Sequence, residues 1–275
     1  MALIINHNHA SGRAAANLNR TQRGLTQSFN RISSGLRINQ AADDAAGLGM
    51  SESLDSHARS LRQAQRNTHD GISVVQTAEG ATSEVADMLK RMRELAVQSA
   101  SETLGSTERG YADTEFKALR TEIERVANTT EFNGVQLGNS SGTINVQVGI
   151  ESGTDNQIGI KLGDLNIAVI GGGITSDDVS TTTKAKAALT KLDSALDSVN
   201  GYRSAYGAVQ NRLESALNNL ETYTENIAGA ASTIRDADFA HETAEMSKFQ
   251  IMQQAGVAIL GQANGLNTGA LRLIG

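Results

Sequence analysis

The sequence predicts a mainly α protein: a long antiparallel helical bundle or coiled coil drawn from both termini, with a small β-hairpin element in the middle. Three observations predict it. Tyr202, Tyr206, Val209, Leu213, Ala216, Leu220, Tyr223, Ile227, Ala230 and Ile234 follow one another in alternating steps of four and three. That is a heptad seam, and at 1.5 Å per residue it belongs to a rod roughly 50 Å long. The 275 residues include no proline, and a proline inside a helix costs about 3 kcal/mol. Finally, ten of the forty residues 134–173 are glycine, and between them residues 143–148 and 158–162 alternate like paired strands.

The first arm, residues 1–42, holds five arginines (Arg13, Arg20, Arg23, Arg31 and Arg37) and no carboxylate. Ala14, Leu18, Leu25, Phe29, Ile32 and Leu36 keep near-heptad spacing, with Thr21 filling the gap, so a basic amphipathic helix is expected. A solvated face on a packing helix is its plain use; a membrane surface or an acidic partner is the functional one. Ser33, Ser34 and Gly35 mark a joint. Asp43 and Asp44 suit a helix N-terminus, and a new stripe follows through Leu54, Ala58, Leu61, Gln65, Thr68, Ile72 and Val75. It continues through Thr82, Val85, Leu89, Met92 and Ala96. The phase passes Asp70-Gly71 unbroken, so one helix is expected despite about 1 kcal/mol for the glycine.

Residues 101–107 read as a loop, and Ala112, Phe116, Leu119, Ile123 and Val126 as a shorter amphipathic helix. Beyond the glycine-rich middle, Thr181, Thr182 and Thr183 offer caps for the long rod, whose seam starts at Leu189, Leu192, Leu196 and Val199. After Ile234 come Asp236, Asp238, Glu242 and Glu245, answered only by Arg235 and Lys248. Residues 249–275 are apolar and amide-rich with one charge, Arg272. A basic first arm and a last arm that begins acidic can lie side by side. Two domains are expected: residues 1–42 with 236–275, and residues 43–235 with the hairpin region at about 134–173.

Composition excludes several function classes. Aromatics are 3% and tryptophan is absent, which suits rods better than one large core; the net charge of −6 argues against a general nucleic-acid binder. Without cysteine there is no disulfide framework and no thiolate nucleophile or ligand. No apolar run approaches the roughly 20 residues of a membrane span. Residues 1–5 are apolar but lack the charged leader and long apolar region of a cleaved signal peptide, so export by another route is expected.

Candidate chemical sites fail on their residues. His241-Glu242-Thr-Ala-Glu245 has glutamate where the helical zinc-protease motif needs its second histidine. Asp43-Asp44 and Asp177-Asp178 stand at expected helix starts, where capping explains them. Gly171, Gly172 and Gly173 are not followed by the Lys-Ser/Thr of a phosphate loop. No catalytic, cofactor or metal site is expected.

Five segments carry a family resemblance. They are residues 31–48 (Arg-Ile-Ser-Ser-Gly-Leu-Arg-Ile-Asn-Gln-Ala-Ala-Asp-Asp-Ala-Ala-Gly-Leu), residues 70–80 (Asp-Gly-Ile-Ser-Val-Val-Gln-Thr-Ala-Glu-Gly) and residues 92–99 (Met-Arg-Glu-Leu-Ala-Val-Gln-Ser). Residues 130–134 (Thr-Glu-Phe-Asn-Gly) and 234–243 (Ile-Arg-Asp-Ala-Asp-Phe-Ala-His-Glu-Thr) complete the set. The chain resembles bacterial flagellins, in family order and over nearly its whole length. One departure is the run Gln262-Ala-Asn-Gly-Leu266, which lacks the Asn-Gln dipeptide and nearby proline of many members.

The resemblance implies a structural, non-enzymatic subunit that polymerises into the extracellular flagellar filament, its terminal arms lining the channel. The 134–183 interval leaves no room for outer variable domains. It also implies a secretion chaperone, a filament cap and hook-junction proteins as partners, and a host Toll-like receptor 5 contact at Arg91, Leu95 and Glu115. Packing and assembly are expected from Leu18, Leu25, Phe29, Ile32, Leu36, Leu213, Leu220, Ile227, Ile234, Phe239, Met246, Val257 and Leu260. The arms are expected to order only on assembly. The alternatives are a hook–filament junction protein and, from another class, a membrane- or nucleic-acid-binding helical protein using the basic arm.

Overall fold

The computed structural model describes residues 7–272, with side-chain surroundings as far as Gly265; the apolar start at 1–5 and the Arg272 side chain lie outside the described residues. Among the described residues five α-helices carry the chain: α1 (His9–Ser34), α2 (Ala45–Ala100), α3 (Ser106–Thr129), α4 (Thr182–Arg235) and α5 (Phe239–Arg272). Two antiparallel strand pairs interrupt them, β1 (Glu131–Phe132) with β2 (Val135–Gln136) and β3 (Thr143–Gln147) with β4 (Gln157–Lys161).

Local chemistry sets the boundaries. The Asn8 side chain accepts from Ser11 N at the start of α1, and Gly35, in the left-handed region, closes it with its N–H on Arg31 O. Asp44 accepts from Gly47 N at the start of α2, while Asp43 holds the N–H groups of Asn39 and Gln40. α2 runs 56 residues through Gly71 without a break. Gly71 has a use there: a Cβ would lie 2.9 Å from a Val146 methyl, so the bare backbone admits β3. The expected hairpin is β3–β4, in register Thr143 with Lys161 through Gln147 with Gln157. Its connection is pinned by Val148 N on Asn156 O. The small β1–β2 pair is new. It turns at Asn133 and Gly134, both at positive φ, the geometry that suits a two-residue hairpin turn.

Asp177 and Asp178 are not the caps of α4. Thr181 Oγ1 accepts from Lys184 N, whereas Asp177 binds Lys191 and Asp178 binds Ser180 and Lys184. The carboxylates are anchored to side chains of the helix rather than to its first N–H groups.

Contacts divide the chain into two units, residues 58–225 and residues 1–57 with 226–275. The division falls inside both long helices rather than at the expected 42/43 and 235/236, and the joint residues are cross-tied. Leu36 bridges Asp236, Arg37 N reaches Arg235 O, Ala237 N reaches Gly35 O, and Arg235 pairs with Glu52 at 3.2 Å. These bonds draw the first turns of α2 and the last of α4 into the terminal unit.

The larger unit has two apolar clusters. One joins Val85, Leu89 and Met92 of α2 to Phe116 and Ile123 of α3, Ile167 and Ile174 of the connecting strap, and Leu192 and Val199 of α4. The other packs Val75 against Leu137, the inner hairpin residues Ile158 and Ile160, and Tyr206 and Leu213 of α4. The Tyr206 hydroxyl accepts from Gly163 N at 2.9 Å, and burial pushes its pKa up. Apolar clusters of this size, with one interior polar group satisfied, are an ordinary core.

Candidate assembly interface

The terminal unit is built on α1 against α5. Two glycines let them approach: a Cβ on Gly24 would fall 2.5 Å from the Phe249 ring, and one on Gly256 3.2 Å from Leu18. Polar bonds fix the register. Asn8 Nδ2 donates to Ala263 O at 3.0 Å, Gln253 Nε2 to Gln22 Oε1 at 2.6 Å, and Arg31 pairs with Glu242 at 3.0 Å. Glu242 is only 6% exposed, so this pair is the basic arm meeting the acidic start of the last arm. Both arms are helical in the structure, where the sequence predicts order only on assembly; these contacts supply a mutual partner.

The pair leaves much of its apolar surface uncovered. Phe29 is 61% exposed, Phe239 63% and Ile251 66%, and Val257 and Ile259 are also exposed. Leu18, Leu25, Ile32, Leu36, Ile234, Met246 and Leu260 are half-buried. On α5 the covered side carries Phe249, Gln253, Gly256 and Leu260. At 100° per residue, Ile251 falls opposite that side, with Val257 and Ile259 on its two flanks.

In the larger unit, Arg91 Nε donates to Glu115 at 2.8 Å and Nη1 to Glu94 at 3.0 Å. Bonding to Glu115 first, then Glu94, raises the Arg91 pKa. Leu95 is 3% exposed and belongs to the apolar cluster, whereas Arg91 stands at the surface. Residues four apart sit about 40° apart around a helix, and here the edge of the buried stripe runs between them. Among the described residues no group of three His, Cys, Asp or Glu side chains could hold a metal, and no helix is long and apolar enough to cross a membrane.

The profile of the bacterial flagellin N-terminal helical region matches residues 5–143, and that of the flagellin C-terminal helical region matches residues 189–274. The chain belongs to the bacterial flagellin family. Flagellins are structural proteins of the extracellular flagellar filament, and the chain is such a subunit. It is 42% identical to the flagellin of Halalkalibacterium halodurans, over 99% of this chain and all of that one. It is 35% identical to the flagellar filament 33 kDa core protein of Treponema phagedenis, over 99% and 100%. Among solved structures, Bacillus cereus flagellin superposes with TM-score 0.50 at 31% identity, covering 56% of this chain and 88% of that one. A Vibrio parahaemolyticus chain described as a flagellar hook-associated protein gives TM-score 0.60 at 18% identity, over 70% and 100%; this likeness is one of fold.

As a flagellin, the chain distributes its expected packing residues in three groups. Leu213, Leu220 and Ile227 are buried inside the subunit. The half-buried residues belong to the α1–α5 pair (Leu18, Leu25, Ile32, Met246 and Leu260) or to the joint beside it (Leu36 and Ile234). Phe29, Phe239 and Val257 are free to meet something else. Sequence reasoning missed Ile251 and Ile259, although the signal was present: a helix with apolar residues on several sides has more such surface than one partner can cover. It also missed Gly24 and Gly256, since close approach of two helices leaves no periodic mark.

Proposed function

We propose that the chain forms a helical homopolymer through the uncovered apolar faces of α1 and α5. The observation that carries this is the exposure of Ile251, Val257 and Ile259 on three sides of α5 away from α1. Apolar side chains on more than one side of a helix need more than one partner, and several neighbouring copies can supply cover where a single partner cannot. Each such side chain is worth about 1.5–3 kcal/mol when fully buried. The same faces suit a secretion chaperone before assembly, and a cap or hook-junction protein at the two ends of the polymer. Seeded elongation of the purified protein, followed by electron microscopy, is the test. Wild type is expected to give long filaments, and an Ile251→Lys, Val257→Lys variant to stay monomeric with unchanged helix content. Normal elongation by that variant overturns the assignment.

The Arg91–Glu115 bond supports a second role, because it joins two exposed residues of different helices on one surface. We propose this surface as the Toll-like receptor 5 contact, with Leu95 supporting it from within. Arg91→Ala with Glu115→Ala is expected to lower receptor signalling by about tenfold or more without changing the thermal midpoint by more than a few degrees, since exposed ion pairs add about 0–1 kcal/mol. Undiminished signalling counts against it.

A further inference from the structure

The terminal unit contains equal numbers of acidic and basic residues, yet they are segregated along its length. Arg13, Arg20 and Arg23 are exposed on α1 and form no hydrogen bond or ion pair among the described residues. Their offsets of seven and ten residues keep them within one side of the helix. Asp43, Asp44, Asp236 and Asp238 gather at the other end of α1, brought together by the Leu36–Asp236 bridge. Their oxygens accept from backbone N–H groups, with Gln27 Nε2 also donating to Asp43, or, for Asp236, from Ser232. Those neutral donors satisfy hydrogen bonding but do not neutralise Asp44, Asp236 or Asp238, and none of the four is in an ion pair with lysine or arginine; Asp43 alone feels a nearby cation, Arg31. The arm is therefore positive along its outer stretch and negative at its joint.

At 1.5 Å per residue the middle of the arginine row lies about 25 Å along α1 from Ser34. Arg23 lines the same cleft as Asp43, but the screening length at physiological salt is about 8 Å, so Arg13 and Arg20 cannot neutralise the joint of their own copy. Their fields remain available to a neighbour. We propose that the arms of successive copies stack with an axial offset of about that length, the arginine row of one copy lying against the carboxylate collar of a second copy of this chain. This deepens the homopolymer reading and rests on it. Apolar burial is indifferent to axial position over a turn or two, whereas paired zones of opposite charge select one offset. The arrangement thus supplies register to a contact whose strength is apolar.

The experiment is seeded elongation of full-length protein at 20 and 200 mM NaCl, with helix content checked by circular dichroism. Arg13→Gln, Arg20→Gln, Arg23→Gln is expected to raise the critical concentration about tenfold at low salt, with the gap closing at high salt as screening removes the wild-type advantage. An Arg20→Glu, Arg23→Glu variant should not elongate alone. It should co-assemble with Asp236→Lys copies, a substitution that leaves the caps formed by Asp44 and Asp238 in place. Wild-type critical concentrations for the triple variant at both salts overturn the proposal while leaving the homopolymer reading intact. Failure of wild type to elongate at all overturns both. Unchanged elongation with lost binding to phosphatidylglycerol vesicles assigns the arginines to a membrane surface and also overturns it.

Discussion

Asp178 sits where the strap from the hairpin enters α4, largely withdrawn from water. Burial opposes its ionised form, but the bonds from Lys184 Nζ at 2.6 Å and from Ser180 Oγ and N outweigh that and hold its pKa at about 2. The folded value lies below the unfolded one, near 3.9. The stabilisation is therefore fully present above about pH 4 and is lost as pH falls through about 2. Asp178→Asn should melt below wild type at pH 5, with the difference narrowing towards pH 2. A gap that stays constant across that range would refute the assignment. At this scale the sequence was legible for caps and poorly legible for partners. Asp44 and Thr181 are recognisable from residue type and position, because capping is local, whereas Asp43, expected beside Asp44 at the helix start, instead holds the N–H groups of Asn39 and Gln40. The pairings of Arg31 with Glu242 and Asp113 with Val179 N join residues far apart in the chain, and spacing carries no trace of them.

The α1–α5 pair depends on how closely two helices can pass. Gly24→Val would push a branched side chain into the Phe249 ring and should cost about 1–3 kcal/mol through overpacking. Gly12→Ala meets nothing within 4 Å and should instead add up to about 1 kcal/mol of helix propensity. Hydrogen exchange along α1 separates the two, with faster exchange in the first variant and slower in the second; equal behaviour would refute the close-contact account. The heptad seam of α4 was readable from sequence at Tyr206, Leu213, Leu220 and Ile227, all buried. Tyr223 and Ala230, on the same seam, are exposed. Periodicity states where apolar groups stand on a helix, not how much of its length finds a partner. The β1–β2 pair escaped because strands of two residues are too short to alternate.

For the whole molecule, the two apolar clusters lie entirely within residues 58–225, so the terminal arms are dispensable for that core. A fragment of residues 43–235 should remain soluble and melt cooperatively, yet form no filaments when seeded. In the full-length monomer, α1 and α5 should exchange their amides far sooner than α2 and α4 do, because ordering a residue costs about 1–2 kcal/mol and each arm has one partner. Protection of residues 18–36 equal to that of residues 85–96 would contradict the coupling of arm order to assembly. The connection between β3 and β4 has another implication. Its bonds close at Gln147, Val148 and Asn156, while Ser152 and Gly153 stand exposed at the tip. Loop closure costs only about 0.6 kcal/mol for each doubling of length, so a foreign peptide spliced between those two residues would add little burden to the hairpin beneath it. Repeated once per subunit, that tip makes the subunit a carrier on which a passenger sequence could be displayed.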